Sequence, residues 1–302
     1  MSALISILTI YFFIFVGFSA KKIFKDEIDE KTLILISIYF LQPILTFWGL
    51  TRTPLNFNIF FTPFIYFITI STILVVLLFL SRYILKDKKE QSIFVATSLI
   101  GNTGNLGIPL GIALFGDSSI VYTSMINIAN IFFIYTVGIY LFAKEEYTFK
   151  QSISSMVKIP ILWFAIIALV FNYLGINIDT SINNALQMGA YSAIVIQLII
   201  FGIYLNKVDI KNQNLTLTLS TSFVKLILLP IVGIGYSLLF HLDPLIASIL
   251  VVSLSTPLAV NNVNIAALFN CKPYLVANIV LVSTILFLAI FYFDLQFIDM
   301  VF

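Results

Sequence analysis

Charge is what this chain has least of. Lys, Arg, Asp and Glu make up 10% of its 302 residues, against about a quarter in a soluble domain, too little polar surface to keep a fold of this size in water. The formal net charge is only +2, so no nucleic acid partner is expected. A single cysteine, Cys271, excludes an internal disulfide and leaves the redox compartment unread. A single histidine, His241, lies in the turn His241-Leu242-Asp243-Pro244; it is a solvated turn residue or, on the other reading, a pH sensor. Without a nucleophile and base, or a set of metal ligands, no enzyme, metal or cofactor is expected. The apolar runs also lack acid. All 14 carboxylates fall in loops or near the ends of runs, which excludes a proton relay through a mid-membrane carboxylate.

What is present is apolar: 60% of residues, 30 of them Phe, with a mean hydropathy of +1.07. About 20 apolar residues cross a bilayer. Ten runs qualify, at approximately 2 to 20, 32 to 50, 59 to 82, 91 to 116, 118 to 143, 159 to 174, 181 to 205, 215 to 240, 244 to 270 and 273 to 293. Lysines test the count, because short cytoplasmic loops collect basic residues. The connections after runs one, three, five, seven and nine hold 14 of the 16 basic residues; Arg52 lies on the other side and Lys225 within a run. The alternation predicts an integral protein of the plasma (inner) membrane with both termini extracytoplasmic. Lys21 and Lys22 follow the first run rather than precede it, the reverse of a cleavable signal, so this run is expected to stay as a spanning helix.

Two runs are interrupted near mid-bilayer, by Gly101-Asn102-Thr103-Gly104-Asn105-Leu106-Gly107-Ile108-Pro109 and by Ser255-Thr256-Pro257-Leu258-Ala259-Val260-Asn261-Asn262. Three glycines weaken the first helix and Pro109 removes a donor. Irregular backbone at that depth is tolerated only inside protein or beside a cavity. The interruptions also repeat. Ala113-Leu114-Phe115-Gly116 and Ala267-Leu268-Phe269-Asn270 end the two runs, and five runs per repeat invert the second copy. The fold class expected is an all-α polytopic membrane protein, ten transmembrane helices in two inverted five-helix repeats, residues 1–145 and 157–302, with crossed, broken fourth and ninth helices. Half-helix N-termini suit an anion and half-helix C-termini a cation.

The first break with Leu110 and the Ala113–Gly116 ending resembles the fourth-helix signature of the auxin efflux carrier family, and Pro257-Leu258-Ala259-Val260-Asn261-Asn262 resembles its ninth-helix crossover. Leu41-Gln42-Pro43 also fits, whereas the proline common before a glycine such as Gly202 is missing. The family includes bacterial carriers and plant auxin exporters, and its fold is related to bile acid/sodium symporters. The resemblance implies a scaffold (about 1–50 and 157–206) against a moving transport domain (about 57–143 and 214–295), working by alternating access in an elevator-like or rocking motion. Related folds suggest a homodimer.

The candidate substrate-binding set is Asn102, Thr103, Asn105, Gly107, Pro109, Thr256, Pro257, Asn261, Asn262, Lys225, Asn127, Asn130 and Gln42. The break residues, and more weakly Asn264, either hold a solute or satisfy freed backbone. Asn127 and Asn130 share a helix face and either flank the cavity or brace neighbouring helices. Gln42 is a cavity donor or the partner of a carbonyl freed by Pro43. Lys225 either attracts an anion or snorkels to the interface. The expected partners are the lipid bilayer and a small organic anion, of carboxylate type. A sodium-coupled symporter like the bile acid carriers and a channel-like anion uniporter are the alternatives, and the coupling ion is left open.

Overall fold

A computed structural model of the chain describes residues 2–143, 154, 160–206 and 214–302. Lys144, Glu145, Glu146, Lys150, Lys158, Lys207 and Lys211, expected in cytoplasmic connections, lie outside the described residues. Among the described residues the protein is helical, with one isolated antiparallel bridge in place of any strand. The helical segments are α1 (Ser2–Phe24), α2 (Thr32–Thr51), α3 (Phe57–Ile84), α4 (Lys88–Leu99), α5 (Thr103–Phe115), α6 (Asp117–Ala143), α7 (Pro160–Tyr173), α8 (Thr180–Asn206), α9 (Leu215–Leu239), α10 (Pro244–Ser255), α11 (Asn261–Leu268) and α12 (Pro273–Val301). Six of them are long and apolar enough to cross a membrane: α2, α3, α6, α8, α9 and α12. Large apolar side chains stay exposed on these and on α1, as with Phe15, Phe40, Phe79 and Phe293, the surface expected against lipid. The chain is an integral membrane protein.

Proline sets much of the local geometry. Widened π-turns occupy Ser37–Leu41, Thr103–Gly107 and Val224–Leu228, and each is followed two residues on by Pro43, Pro109 or Pro230. The proline ring clashes with the carbonyl four residues back, here Tyr39, Asn105 or Leu226, and opening the turn relieves the clash. A fourth π-turn, Ile134–Gly138, has no such proline, and nothing in the structure explains it. By contrast α8, lacking the expected proline, runs unbroken from Thr180 to Asn206.

The chain forms two compact units. The first comprises Met1–Phe60, Gly104–Met125 and Val157–Lys207. In it α1 packs closely along α8, because glycine stands at both points of approach: a Cβ at Gly17 would overlap the Ile199 carbonyl, and one at Gly202 the Ile14 carbonyl. Small residues let helix backbones meet in this way without a side chain between them. Asn172 donates to Leu50 O at 2.6 Å and Thr53 O at 2.7 Å, satisfying carbonyls at the end of α2. Arg52 pairs with Asp117 at 2.8 Å and lies 4.5 Å over the Trp48 ring.

The second unit comprises Phe61–Thr103, Ile126–Met156 and Val208–Phe302. Its helices α4, α9, α10, α11 and α12 pack on one another. Segment 104–125 belongs to the first unit instead, because α5 packs along α1. Helix α12 runs eight residues past the expected end at 293, so Asp294 sits inside a helix, with Oδ2 buried and unpartnered. Asp294 thus lies near the end of its run but within the helix rather than beyond it. Leu295, Phe297, Ile298, Met300 and Val301 keep the extra two turns mostly apolar, so Asp294 and Asp299 do not end the helix.

Candidate functional site

Both interruptions are real. Helix α4 stops at Leu99 and α5 starts at Thr103; α10 stops at Ser255 and α11 starts at Asn261. Within the second unit Ile100–Asn102 runs antiparallel to Pro257–Ala259, bridged at Gly101 and Leu258. Asn102 N donates to Pro257 O at 2.9 Å and Ala259 N to Ile100 O at 3.0 Å. Leu258 N donates to Ser283 Oγ of α12 at 3.3 Å. Backbone groups that lose helical partners are thus paired with one another, as a buried irregular segment requires.

A polar network braces the first break. Asn130 Nδ2 donates to Gly101 O and to Thr103 Oγ1, both at 2.9 Å, and Tyr66 OH donates to Asn130 Oδ1 at 3.1 Å. Thr103 Oγ1 donates to Asn127 Oδ1 at 3.0 Å. The asparagines three apart on α6 therefore hold the break. On the other side Asn262 Nδ2 donates to Ile100 O at 3.2 Å and Ala259 O at 2.9 Å, and Thr256 Oγ1 donates to Ser253 O at 2.8 Å.

Lys225 comes from the π-turn of α9. Its side chain is 0% exposed and Nζ donates to Leu254 O at 2.8 Å, so it does not snorkel. Helix position had left that reading open; the widened turn before Pro230 and the short path to α10 direct the chain inward instead.

Several polar atoms at the crossing have no partner. Asn102 Nδ2, Asn262 Oδ1 and Ser98 Oγ are all buried and unbonded. Such atoms are costly in a dry interior. Of the sequence candidates, Asn102, Thr103, Asn127, Asn130, Lys225, Thr256, Pro257, Asn261 and Asn262 lie in the second unit, while Gln42, Asn105, Gly107 and Pro109 belong to the first. Gln42 Nε2 lies 3.5 Å from Ser37 Oγ within its π-turn. Tyr66, Ser283 and the Leu254 carbonyl were not foreseen. Ser283 alone had a signal, as half of the hydroxyl pair Ser283-Thr284 in an apolar run.

Comparison with known proteins identifies the family. The family model described as membrane transport protein matches residues 2–159 and 148–293. The chain belongs to the auxin efflux carrier family. It is also similar to the uncharacterized transporter MJ1031 of Methanocaldococcus jannaschii, 22% identical over 290 residues that cover 92% of this chain and 93% of that protein. The protein is a membrane transporter, and its broken helices are the natural place to seek a solute.

Proposed function

We propose that the protein is a secondary active or facilitative carrier of a small organic anion of carboxylate type, bound at the crossing of the two broken helices and moved by alternating access. The observation that carries this reading is the buried, unpartnered donor Asn102 Nδ2 at the crossing. A carboxylic solute in the membrane interior needs neutral donors and helix N-termini rather than acids. Both breaks are followed by a new helix start, α5 and α11.

The wider frame belongs to the same proposal. The six long helices, α1, α7 and the interrupted pairs α4–α5 and α10–α11 amount to ten crossings in two inverted sets of five, in the inner membrane with both termini outside. The backbone supports the repeat: Gly116 and Asn270, matched by sequence, both have positive φ, 73° and 49°, just after their half-helices. A moving transport domain (about 57–143 and 214–295) would carry the crossing against a scaffold (about 1–50 and 157–206).

The test is flux in liposomes holding the purified protein, across a panel of mono- and dicarboxylates. Saturable uptake with countertransport of labelled solute is expected. Asn102→Ala should lower uptake at limiting solute about tenfold or more, the effect of one lost bond to a charged ligand. A folded protein that moves none of the panel rejects the anion reading.

A further inference from the structure

Lys225 is a buried cation with no anion. Among the described residues no carboxylate pairs with it, and its one bond is to Leu254 O. What surrounds it is helix ends. Leu254 is in the last turn of α10. A Cβ at Gly101 would lie 2.5 Å from Lys225 Nζ and 3.0 Å from Thr256 Oγ1, so the ammonium rests over the first residues beyond the C-terminal end of α4. Two half-helices thus end at one point, and that point holds the ammonium. Each C-terminus carries roughly half a negative charge, so the pair together offsets one cation without any acid. A bare lysine is tolerated here because the backbone supplies the counter-charge.

Two converging helix C-termini with carbonyl and hydroxyl oxygens are also the donor set of a monovalent metal cation site. We propose that Lys225 is a tethered cation occupying a monovalent-cation site built by the C-terminal ends of α4 and α10, and that removing its side chain converts this place into a site for Na⁺ or K⁺. The flexible stem brings the charge from α9 to the crossing, and the proline-opened turn at Val224–Leu228 aims it. The wild-type crossing is therefore complete without a dissolved metal cation. This deepens the carrier reading by naming what occupies the cation side of the crossing.

The test reads stability rather than flux, so it can fail while the anion reading stands, and the reverse. Thermal unfolding of the purified protein in detergent is measured in NaCl, KCl, ammonium chloride, methylammonium chloride and choline chloride at equal ionic strength. Wild type should melt at the same temperature in all five. Lys225→Ala should melt lower in choline and regain roughly 3–6 °C, saturably, in at least one of the small cations. Lys225→Met, which keeps the bulk and fills the place without charge, should stay low in every salt. If Lys225→Ala does not accumulate, Lys225→Ser takes its place under the same outcomes. A saturable stabilisation of wild type by Na⁺ or K⁺ over choline overturns the proposal, as does a cavity variant indifferent to all the small cations.

Discussion

Asn130 shows how one side chain sustains a break in a helix. It bonds Gly101 O, Thr103 Oγ1 and Tyr66 OH at once, tying the break to α3. Asn130→Ala should lower stability by about 1–3 kcal/mol, since it strands buried partners; Tyr66→Phe, which loses a single bond, should cost less. Thermal unfolding in detergent checks both, and an Asn130→Ala protein as stable as wild type would remove the network from the account. The asparagines were legible in the sequence because an amide in an apolar run stands out. Their partners were not. Gly101 O, Ile100 O and Leu254 O are backbone groups without a sequence signature, and Tyr66 looks like any aromatic facing lipid. Lys225 was legible as an anomaly, but its direction depended on a carbonyl at the end of another helix.

At the scale of elements, α4 is anchored by charge where it begins. Asp87 caps it by accepting from Glu90 N at 3.0 Å, and Lys272, before α12, reaches Asp87 at 3.0 Å and Glu90 at 2.9 Å. The bond from Glu90 N, then that from Lys272, holds the Asp87 carboxyl below its ordinary pKa. Burial works against the Lys272 ammonium, but Glu90 and Asp87 outweigh it and raise its pKa. A depressed acid contributes stability above its ordinary pKa, about 4, and loses it as pH falls through the folded value. The raised lysine contributes below about 10.4 and loses it as pH rises through its folded value. Melting curves of wild type and Lys272→Met should therefore differ near neutrality and converge below about pH 4; a gap constant with pH would count against this anchor. The glycine contact between α1 and α8 gives a second prediction. Gly202→Ala should destabilise by about 1–3 kcal/mol, because backbone cannot move aside, whereas Gly235→Ala, with nothing within 4 Å of the new methyl, should not. Equal melting temperatures for the two would refute the close approach. Helix positions were legible from apolar length, but the end of α12 was not, since Asp294 read as a stop.

The molecule as a whole forms two compact units. Apolar runs show which segments cross, but the placement of Gly104–Met125 with α1 depends on packing between distant segments, which no local pattern encodes. Orientation is open to direct measurement. In a Cys271→Ser background, an impermeant maleimide added to intact cells should label the His241→Cys variant and spare the Lys88→Cys variant until the membrane is permeabilised; the opposite pattern would invert the topology. The bridge between Gly101 and Leu258 also governs how the protein is made. Its two halves are separated by most of the chain, so when the first break enters the bilayer during synthesis, the Asn102 amide and Ile100 carbonyl wait without their partners until residues 257–259 leave the ribosome. A chain stopped short of α10 therefore lacks the partners of those two groups, each costly to leave unpaired in the bilayer.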